Sequence, residues 1–145
     1  MAKEILSTEN VVLNEKASSK AEAIRMAGQI LVDNGYVEAS YVDQMLEREE
    51  ITTTYMGNSV AIPHGTEDAK KAVKNSGLSI VQLRDGVDFG DGNIAKIIIG
   101  IAGKDNEHLE ILSQIAIVCS EEENVEQLIQ ADSKETLISM FDEVN

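Results

Sequence analysis

The length, composition and charge of this chain exclude several classes of protein. Its 145 residues fit one ordinary domain, which we expect to span residues 1–145. With 12 Lys and Arg against 26 Asp and Glu, the net charge of −14 repels phosphate backbones and anionic lipids, so we expect neither a nucleic-acid partner nor a membrane-surface role. The apolar runs are too short to span a bilayer, so we expect no membrane insertion. One cysteine excludes an internal disulfide, and the first eight residues lack a signal-peptide core, which predicts a cytoplasmic protein.

The first part of the chain predicts a short strand, two helices and a loop. Ser19 and Glu22 have the spacing of a capping box, which starts the first helix. Apolar residues then recur at helical intervals until Gly35, which supplies a left-handed cap. Ser40 repeats the start signal before a shorter helix. The expected bounds are residues 11–13 for the strand, 19–35 and 40–50 for the helices, and 52–54 for the loop.

Three strands are predicted in the middle of the chain, over residues 60–62, 78–83 and 96–101. Pro63 ends the first strand because it removes a donor from the strand ladder, and this leaves His64 at a strand end. A turn-prone segment at residues 85–93 separates the other two strands. The run 97–99 is all isoleucine and is apolar on both faces, which indicates a sheet covered by helices on both sides.

The last third of the chain predicts three helices. The first runs from about residue 107 to 119, and apolar side chains around much of its circumference indicate a buried helix. It carries Cys119, whose thiol we expect to be an inert part of the core. Two shorter amphipathic segments follow at residues 125–129 and 137–141, the second with a capping signal at Asp132. Helices around a double-sided sheet predict an α/β (α+β) fold, a three-layer α/β/α sandwich with a mixed parallel and antiparallel sheet.

Three side chains are candidates for chemistry, since phosphate-loop, dinucleotide-binding, zinc-protease and paired-cysteine motifs are missing. His64 lies at a strand end, where the backbone can fix one ring nitrogen and leave the other to a partner. His108 lies in the first turn of a helix, where N–H groups favour anions. Arg48 can grip phosphate oxygens with a forked guanidinium. Each also has an ordinary interpretation: two surface or capping histidines, and a solvated arginine between two glutamates.

Two segments resemble those of a known family. Residues 55–66 have the sequence YMGNSVAIPHGT, which is similar to the phosphorylation-site segment of enzyme IIA in the bacterial phosphoenolpyruvate-dependent sugar phosphotransferase system. Residues 105–112, DNEHLEIL, are similar to the segment that carries the second histidine of this family, and Arg48 stands at the expected distance upstream. The forms Pro-His-Gly-Thr and Asn-Glu-His resemble the mannitol type of the family.

The resemblance implies a phosphoryl relay that uses no cofactor and no metal. His64 is then expected to take a phosphoryl group from the phosphocarrier HPr and to pass it to a cysteine on the IIB domain of a mannitol-specific IIB/IIC permease. The resemblance favours the tele nitrogen, Nε2, as the acceptor, although the residues alone leave the choice of nitrogen open. His108 and Arg48 are expected to hold the phosphoryl oxygens. No IIB or IIC segment is attached, so we expect the chain to meet these partners by diffusion.

Two alternative functions stay open at this point. One is a regulatory phospho-acceptor of the same superfamily, of the nitrogen or fructose type, that binds a partner protein instead of feeding a permease. The other is a metal-dependent hydrolase that uses His64, His108 and a nearby acid such as Asp68. Transfer of phosphate to a IIB domain separates the first alternative from the sugar relay, and stoichiometric metal binding identifies the second.

Two local features of the sequence bear on the relay. Asn58 stands where the mannitol pattern has an acidic residue, so a mechanism that needs a carboxylate there to orient a histidine has only an amide to use. Residues 69–84 contain four basic residues and no acidic one, and we expect this basic stretch to lie near His64 and to shield added phosphate. Its members are Lys70, Lys71, Lys74 and Arg84.

Overall fold

A computed structural model describes residues 4–104 and 107–141 of the chain. The strands in these ranges are β1 (Val11–Val12), β2 (Tyr55–Gly57), β3 (Val60–Ala61), β4 (Gly77–Asp88) and β5 (Ile94–Ala102). The helices are α1 (Lys20–Asp33), α2 (Ser40–Ile51), α3 (Glu107–Cys119), α4 (Glu122–Gln130) and α5 (Lys134–Ser139). Two 3₁₀ turns complete these elements: Thr8–Asn10 comes just before β1, and Glu67–Ala72 lies between β3 and β4.

The five strands form one mixed sheet in the order β1-β4-β5-β3-β2. β4 and β5 pair antiparallel, with Ile80 opposite Ile99, whereas β1 runs parallel to β4 and β3 runs parallel to β5. β2 adds a short antiparallel edge to β3. Because β3 and β5 are parallel neighbours, their carboxyl ends meet at the same edge of the sheet, and the chain leaves β3 through Pro63 and His64 at that edge.

The isoleucine run of β5 separates two apolar cores, as its pattern predicts. Ile98 is buried with Ala61 and Val81 in the core that α1 and α2 cover. Ile97 and Ile99 are buried in the second core, on the side of α3, α4 and α5. Successive side chains of a strand point to opposite faces, so a fully apolar run needs a helical layer on each face. The prediction of a three-layer α/β/α sandwich with a mixed sheet is therefore confirmed.

The capping signals are right for α1 and wrong for α2. The Ser19 hydroxyl accepts a hydrogen bond of 3.2 Å from the Glu22 amide, as an N-cap does. At the start of α2 the flanking residue is Ala39, which has helical dihedrals and no side-chain cap, so Ser40 already belongs to the helix. The backbone begins this helix by itself, since the Tyr41 amide bonds to the carbonyl of Glu38 at 3.0 Å.

The bounds predicted for α3 are confirmed, but the prediction that this helix is buried is wrong. Ile111, Ile115 and Cys119 face the second core, whereas Leu109 and Ile117 are 62% and 63% exposed. A helix in an outer layer turns only one face toward the sheet, and apolar residues elsewhere on its circumference meet solvent. Burial raises the pKa of the Cys119 thiol to about 12, so this cysteine is the inert core residue that the sequence predicts.

Other predicted bounds shift because of turns and edges. β4 continues past a register irregularity between Gln82 and Val87 into the segment predicted as a turn. β2 was not predicted. The cap of α5 is Ser133, whose hydroxyl accepts from the Thr136 amide at 3.1 Å, and not Asp132. Within the described ranges, no helix is both long and apolar enough to cross a membrane.

Candidate functional site

The backbone around His64 fixes its ring. The ring nitrogen Nδ1 lies 2.8 Å from the carbonyl oxygen of Ile62. A carbonyl oxygen only accepts hydrogen bonds, so Nδ1 carries the proton and donates the hydrogen bond to the Ile62 carbonyl. In a neutral imidazole the lone pair then belongs to Nε2. The half-buried ring therefore has a defined tautomer with its basic nitrogen at Nε2.

His64 lines a pocket of about 540 Å³ at the carboxyl ends of β3 and β5. Among the described side chains, this pocket brings together two cations, Arg48 and Lys70, and two carboxylates, Glu47 and Asp68. The four formal charges cancel, so the pocket is not a strongly cationic well. An anion that enters it must be held by the placement of particular donors and not by net charge.

Helix α2 forms one wall of this pocket. Tyr41, Gln44 and Arg48 follow one another at intervals of three and four residues and so share one face of the helix. Tyr41 and Arg48 both line the pocket with His64. Gln44 accepts a hydrogen bond of 2.8 Å from the Thr66 hydroxyl, which ties the loop after His64 to the same face. Arg48 thus reaches the pocket from a wall that also holds the histidine loop.

Arg48 is anchored at the end of α2. One guanidinium nitrogen, Nη1, donates a hydrogen bond of 2.7 Å to the carbonyl of Thr52, just beyond the last helical residue. A cation suits this position because the carbonyl groups at a helix C-terminus carry partial negative charge. Guanidinium has five N–H donors, so this anchor leaves the group able to make further hydrogen bonds in the pocket.

Glu49 was not distinguished in the sequence from the other charges of α2, yet it is buried. Its Oε1 accepts hydrogen bonds from the amide (2.9 Å) and hydroxyl (2.6 Å) of Thr54. Its Oε2 lies 3.7 Å from Nζ of Lys20. These contacts fasten the 52–54 loop to the end of α2, one residue after Arg48. Of the charged run at 47–50, Glu49 is thus a structural residue and not part of a solvated helix end.

His108 lies in the first turn of α3, but its side chain is outside the described part of the structure. The neighbouring Leu109 and Leu112 line the same pocket as His64. The start of α3 therefore reaches the pocket that contains His64 and Arg48. Residues 105 and 106, which precede α3 in the chain, also lie outside the described residues.

The basic stretch is only partly at the site. Lys70 lines the pocket, whereas Lys71 and Lys74 are exposed and are not among its lining residues. The expectation that Arg84 lies near His64 is wrong. Its guanidinium donates to the carbonyls of Ile129 (3.3 Å) and Ala131 (2.9 Å), where it caps the C-terminal end of α4. Among the described side chains, Arg48 and Lys70 are therefore the cations of this pocket.

Asn58 serves the fold and does not orient His64. It occupies the turn between β2 and β3 with a φ of +51°, a left-handed conformation that asparagine tolerates better than most residues. Its side-chain amide donates to the carbonyls of Cys119 (3.1 Å) and Ser120 (3.3 Å), at the end of α3. The ring of His64 is oriented by the carbonyl of Ile62. A carboxylate at position 58 is therefore not needed to orient the His64 ring in this structure.

Replacing Asn58 with aspartate should destabilise the protein by about 1 to 3 kcal/mol, because the carboxylate cannot donate and lies against helix C-terminal carbonyls. Asn58→Gly is the matched control, since glycine accepts the left-handed backbone but removes both hydrogen bonds without adding charge. Urea denaturation at pH 7 should rank the aspartate variant below the glycine variant. Equal stability of the two variants at pH 7 would contradict the charge argument.

No three histidine, cysteine or acidic side chains converge on a possible metal site among the residues whose side chains are described. The hydrolase hypothesis joined His64 and Asp68, which do line one pocket. The third member that this hypothesis names is His108, whose side chain lies outside the described part. The described side chains give the metal hypothesis no ligand set.

Comparisons with known proteins cover nearly the whole chain. Residues 4–144 match the family model described as phosphoenolpyruvate-dependent sugar phosphotransferase system, EIIA 2. The mannitol-specific phosphotransferase enzyme IIA component of Geobacillus stearothermophilus is 66% identical over 145 residues, 100% of both chains. The crystal structure of IIA mannitol from Escherichia coli is 41% identical, with a TM-score of 0.88 over 94% of this chain and 98% of that one. Enzyme IIAMTL of the same organism, solved in complex with phosphorylated enzyme IIBMTL, is 40% identical, with a TM-score of 0.90 over 95% and 97%.

Proposed function

The chain belongs to the EIIA 2 family of the phosphoenolpyruvate-dependent sugar phosphotransferase system and is a phosphotransferase component, and from this premise we propose that His64 is its phosphoryl carrier. The group comes from phosphorylated HPr and goes to a cysteine of a mannitol-specific IIB component of an IIB/IIC permease. A relay fed by HPr operates in the cytoplasm.

The hydrogen bond between Nδ1 of His64 and the Ile62 carbonyl is the observation that carries this proposal. It holds the tautomer in which Nε2 has the lone pair and so makes Nε2 the nucleophile. The Nε2–P bond forms as the bond between phosphorus and HPr breaks, and the released electron pair stays with HPr. In the second step a IIB thiolate attacks phosphorus and the electron pair returns to Nε2. Throughout, the proton stays on Nδ1, which donates a hydrogen bond to the Ile62 carbonyl, and this bond stabilises the positive charge of the phosphorylated ring.

Charge in the pocket explains the part we assign to Arg48. The phosphoryl group brings about −1.5 to −2 charges. Two like unit charges about 4 Å apart at an effective dielectric near 20 repel by about 4 kcal/mol, and the pocket already contains Glu47 and Asp68. Arg48 and Lys70 are the described cations that can offset this repulsion. Arg48 can also donate two parallel hydrogen bonds to the equatorial oxygens that carry charge in the transition state.

We assign His108 to the same phosphoryl group. It belongs to the first turn of α3, whose other residues Leu109 and Leu112 reach the pocket. Unpaired backbone N–H groups at a helix start favour an anion by about 0.3 to 1 kcal/mol, and a histidine there adds a side-chain donor. With His64 as nucleophile, Arg48 and His108 thus supply donors from α2 and α3, on separate walls of the pocket.

The specificity for mannitol rests on sequence likeness. IIA carries only the phosphoryl group and does not contact the sugar, so its specificity is the choice of a IIB partner. The relative that is 66% identical over the full chain is named mannitol-specific, and the similar Escherichia coli structure was solved with phosphorylated IIBMTL. These likenesses favour a mannitol IIB partner over the regulatory alternative.

Labelling with radioactive phosphoenolpyruvate, enzyme I and HPr tests the relay. We expect one acid-labile, base-stable phosphate per chain on the peptide that contains His64, no label when HPr is omitted, and loss of label to an added mannitol IIB domain. Label on another residue would overturn the carrier assignment. Intact labelling of His64 without transfer to IIB would favour the regulatory phospho-acceptor instead.

A further inference from the structure

The hydroxyl of Tyr41 lies between two backbone groups beside His64. It accepts a hydrogen bond of 2.9 Å from the Gly65 amide and donates one of 2.7 Å to the carbonyl of Ile101. The Tyr41 side chain is 4% exposed, so neither backbone group can exchange this partner freely for water. Sequence reasoning did not single out Tyr41, since a tyrosine on an amphipathic helix is ordinarily a core residue.

The Tyr41 hydroxyl takes the place of one backbone hydrogen bond in the parallel pairing that continues beyond β3 along β5. His64 pairs with Ile101 in a parallel bridge, and the Ile101 amide donates directly to the Pro63 carbonyl at 3.0 Å. In a regular parallel ladder the next bond runs from the Gly65 amide to the Ile101 carbonyl. Tyr41 bonds to both of these groups. The peptides on the two sides of His64 are thus tied to one residue of β5, the first directly and the second through Tyr41.

Gly65 is part of the same arrangement. A Cβ atom at this position would lie 2.6 Å from Cε1 and 3.0 Å from Cζ of the Tyr41 ring. The ring therefore packs directly on the glycine backbone, and this close approach puts the hydroxyl within reach of the Gly65 amide. Burial raises the pKa of the Tyr41 phenol to about 12, so the hydroxyl keeps the proton that it donates to Ile101 throughout the neutral range.

We propose that Tyr41 is a positioning residue for His64, which holds the Gly65 peptide and through it the orientation of the histidine ring. With the Pro63 peptide held by Ile101 and the Gly65 peptide held by Tyr41, the backbone of His64 is restrained on both sides, so its φ and ψ cannot change freely. A loose Gly65 peptide allows φ of His64 to change, and a change of φ moves the ring relative to the Ile62 carbonyl and mixes the two tautomers. The inference rests on the proposed role of His64 as carrier, and it adds the residue that keeps Nε2 directed at the incoming group.

Tyr41→Phe tests the proposal, with Tyr36→Phe as the matched control. Tyr36 is also buried, accepts a hydrogen bond from Asn10 at 2.9 Å and donates one to the Glu4 carbonyl at 2.6 Å, and it does not line the pocket. Both variants lose one buried hydroxyl that hydrogen-bonds to backbone or side-chain groups, so we expect a loss of thermal stability in each. Labelling from phosphorylated HPr should slow at least about tenfold in kcat for Tyr41→Phe, with KM within about twofold, and should change less than about twofold for Tyr36→Phe.

Two measurements separate positioning from a general loss of stability. Nitrogen-15 NMR of the His64 ring should show the single Nδ1–H tautomer in the parent and in Tyr36→Phe, and a mixture in Tyr41→Phe. Exchange of the Gly65 amide with deuterated water should accelerate at least about tenfold in Tyr41→Phe alone. If Tyr41→Phe does not fold, Gly65→Ala replaces it. A Cβ there would lie 2.6 Å from Cε1 of Tyr41 and 2.8 Å from Cβ of Ala69, so the contact between the Gly65 peptide and the Tyr41 hydroxyl must shift while the tyrosine stays.

The results that overturn the proposal are distinct from those that overturn the relay. An unchanged His64 tautomer and unchanged Gly65 exchange in Tyr41→Phe would refute positioning, and so would equal slowing of labelling in both tyrosine variants. Absence of label on His64 in the parent protein would refute the relay, and the ring and amide measurements would still decide whether Tyr41 orients the ring.

Discussion

His64→Ala is expected to abolish phosphorylation by phosphorylated HPr, with a loss of at least about 10⁴-fold in the labelling rate. The variant removes the atom that forms the bond to phosphorus, and donors elsewhere in the pocket cannot replace a nucleophile. The side chain is half-buried, and losing its hydrogen bond to the Ile62 carbonyl should cost about 0.5 to 1.5 kcal/mol of stability. The labelling reaction with phosphoenolpyruvate, enzyme I and HPr measures the loss.

His108→Ala is the control for His64→Ala, because it is the other histidine of the chain. On the proposed role of His108 in holding the phosphoryl oxygens, its removal should slow labelling, while the phosphate still appears on the peptide that contains His64. Urea denaturation of both variants checks that they are folded. Labelling of His64→Ala at the rate of the parent protein would refute the carrier assignment. If labelling were abolished in His108→Ala alone, His108 would be the carrier and His64 the residue that holds the phosphoryl oxygens.

Arg48→Gln is expected to lower kcat/KM for phosphoryl transfer about 10²-fold, which corresponds to about 2.7 kcal/mol of transition-state stabilisation. The guanidinium lines the pocket with His64. The negative charges of Glu47 and Asp68 already oppose the positive charges there, so removing Arg48 leaves little to offset an added phosphoryl group. The full Coulomb attraction of about 4 kcal/mol at 4 Å is reduced because Arg48 is partly exposed to water. The hydrogen bond from Nη1 to Thr52 is also lost, at about 0.5 to 1.5 kcal/mol of stability.

Two further variants test whether the placement of Arg48 matters more than its charge. Arg25→Gln makes the same change of net charge on an exposed position of α1, and we expect transfer within about twofold of the parent. Arg48→Lys keeps the charge but loses the fork, so its rate should lie between those of the parent and Arg48→Gln. Steady-state transfer rates from HPr to a IIB domain give the comparison. Equal rates for Arg25→Gln and Arg48→Gln would refute a local role.

Local interactions explain the parts of the fold that could be predicted from the sequence. α1 begins at Ser19 because the hydroxyl satisfies an amide three residues later, and the chain leaves it near Gly35, whose φ is +80°. Each face of β5 is covered by helices, and three successive isoleucines in the sequence predict this because they are apolar on both faces. These signals lie within a few residues of the elements that they specify, so the α/β/α sandwich could be predicted.

For the site, candidate residues could be predicted from the sequence, but their arrangement in the pocket could not. The resemblance named His64, His108 and Arg48 as candidates, and the structure brings His64 and Arg48 into one pocket although 16 positions of sequence separate them. The burial of Glu49 and the capping of α3 by Asn58 could not be predicted, because each depends on a partner that the sequence pattern does not identify. The basic stretch shows the same limit, since Lys70 lies in the pocket while Arg84 caps α4.

The sequence by itself determined the fold class, the positions of most helices and strands, and the residues that resemble a phosphoryl relay. It could do so because periodicity, caps and short motifs are local. Only the tertiary structure decided which ring nitrogen of His64 carries the proton and which cations reach the pocket. It also showed that the Tyr41 hydroxyl bonds to both the Gly65 amide and the Ile101 carbonyl. Those features depend on where β3 ends beside β5 and how α2 packs against both, and such long-range placement is set by the packing of the whole sheet and its helices.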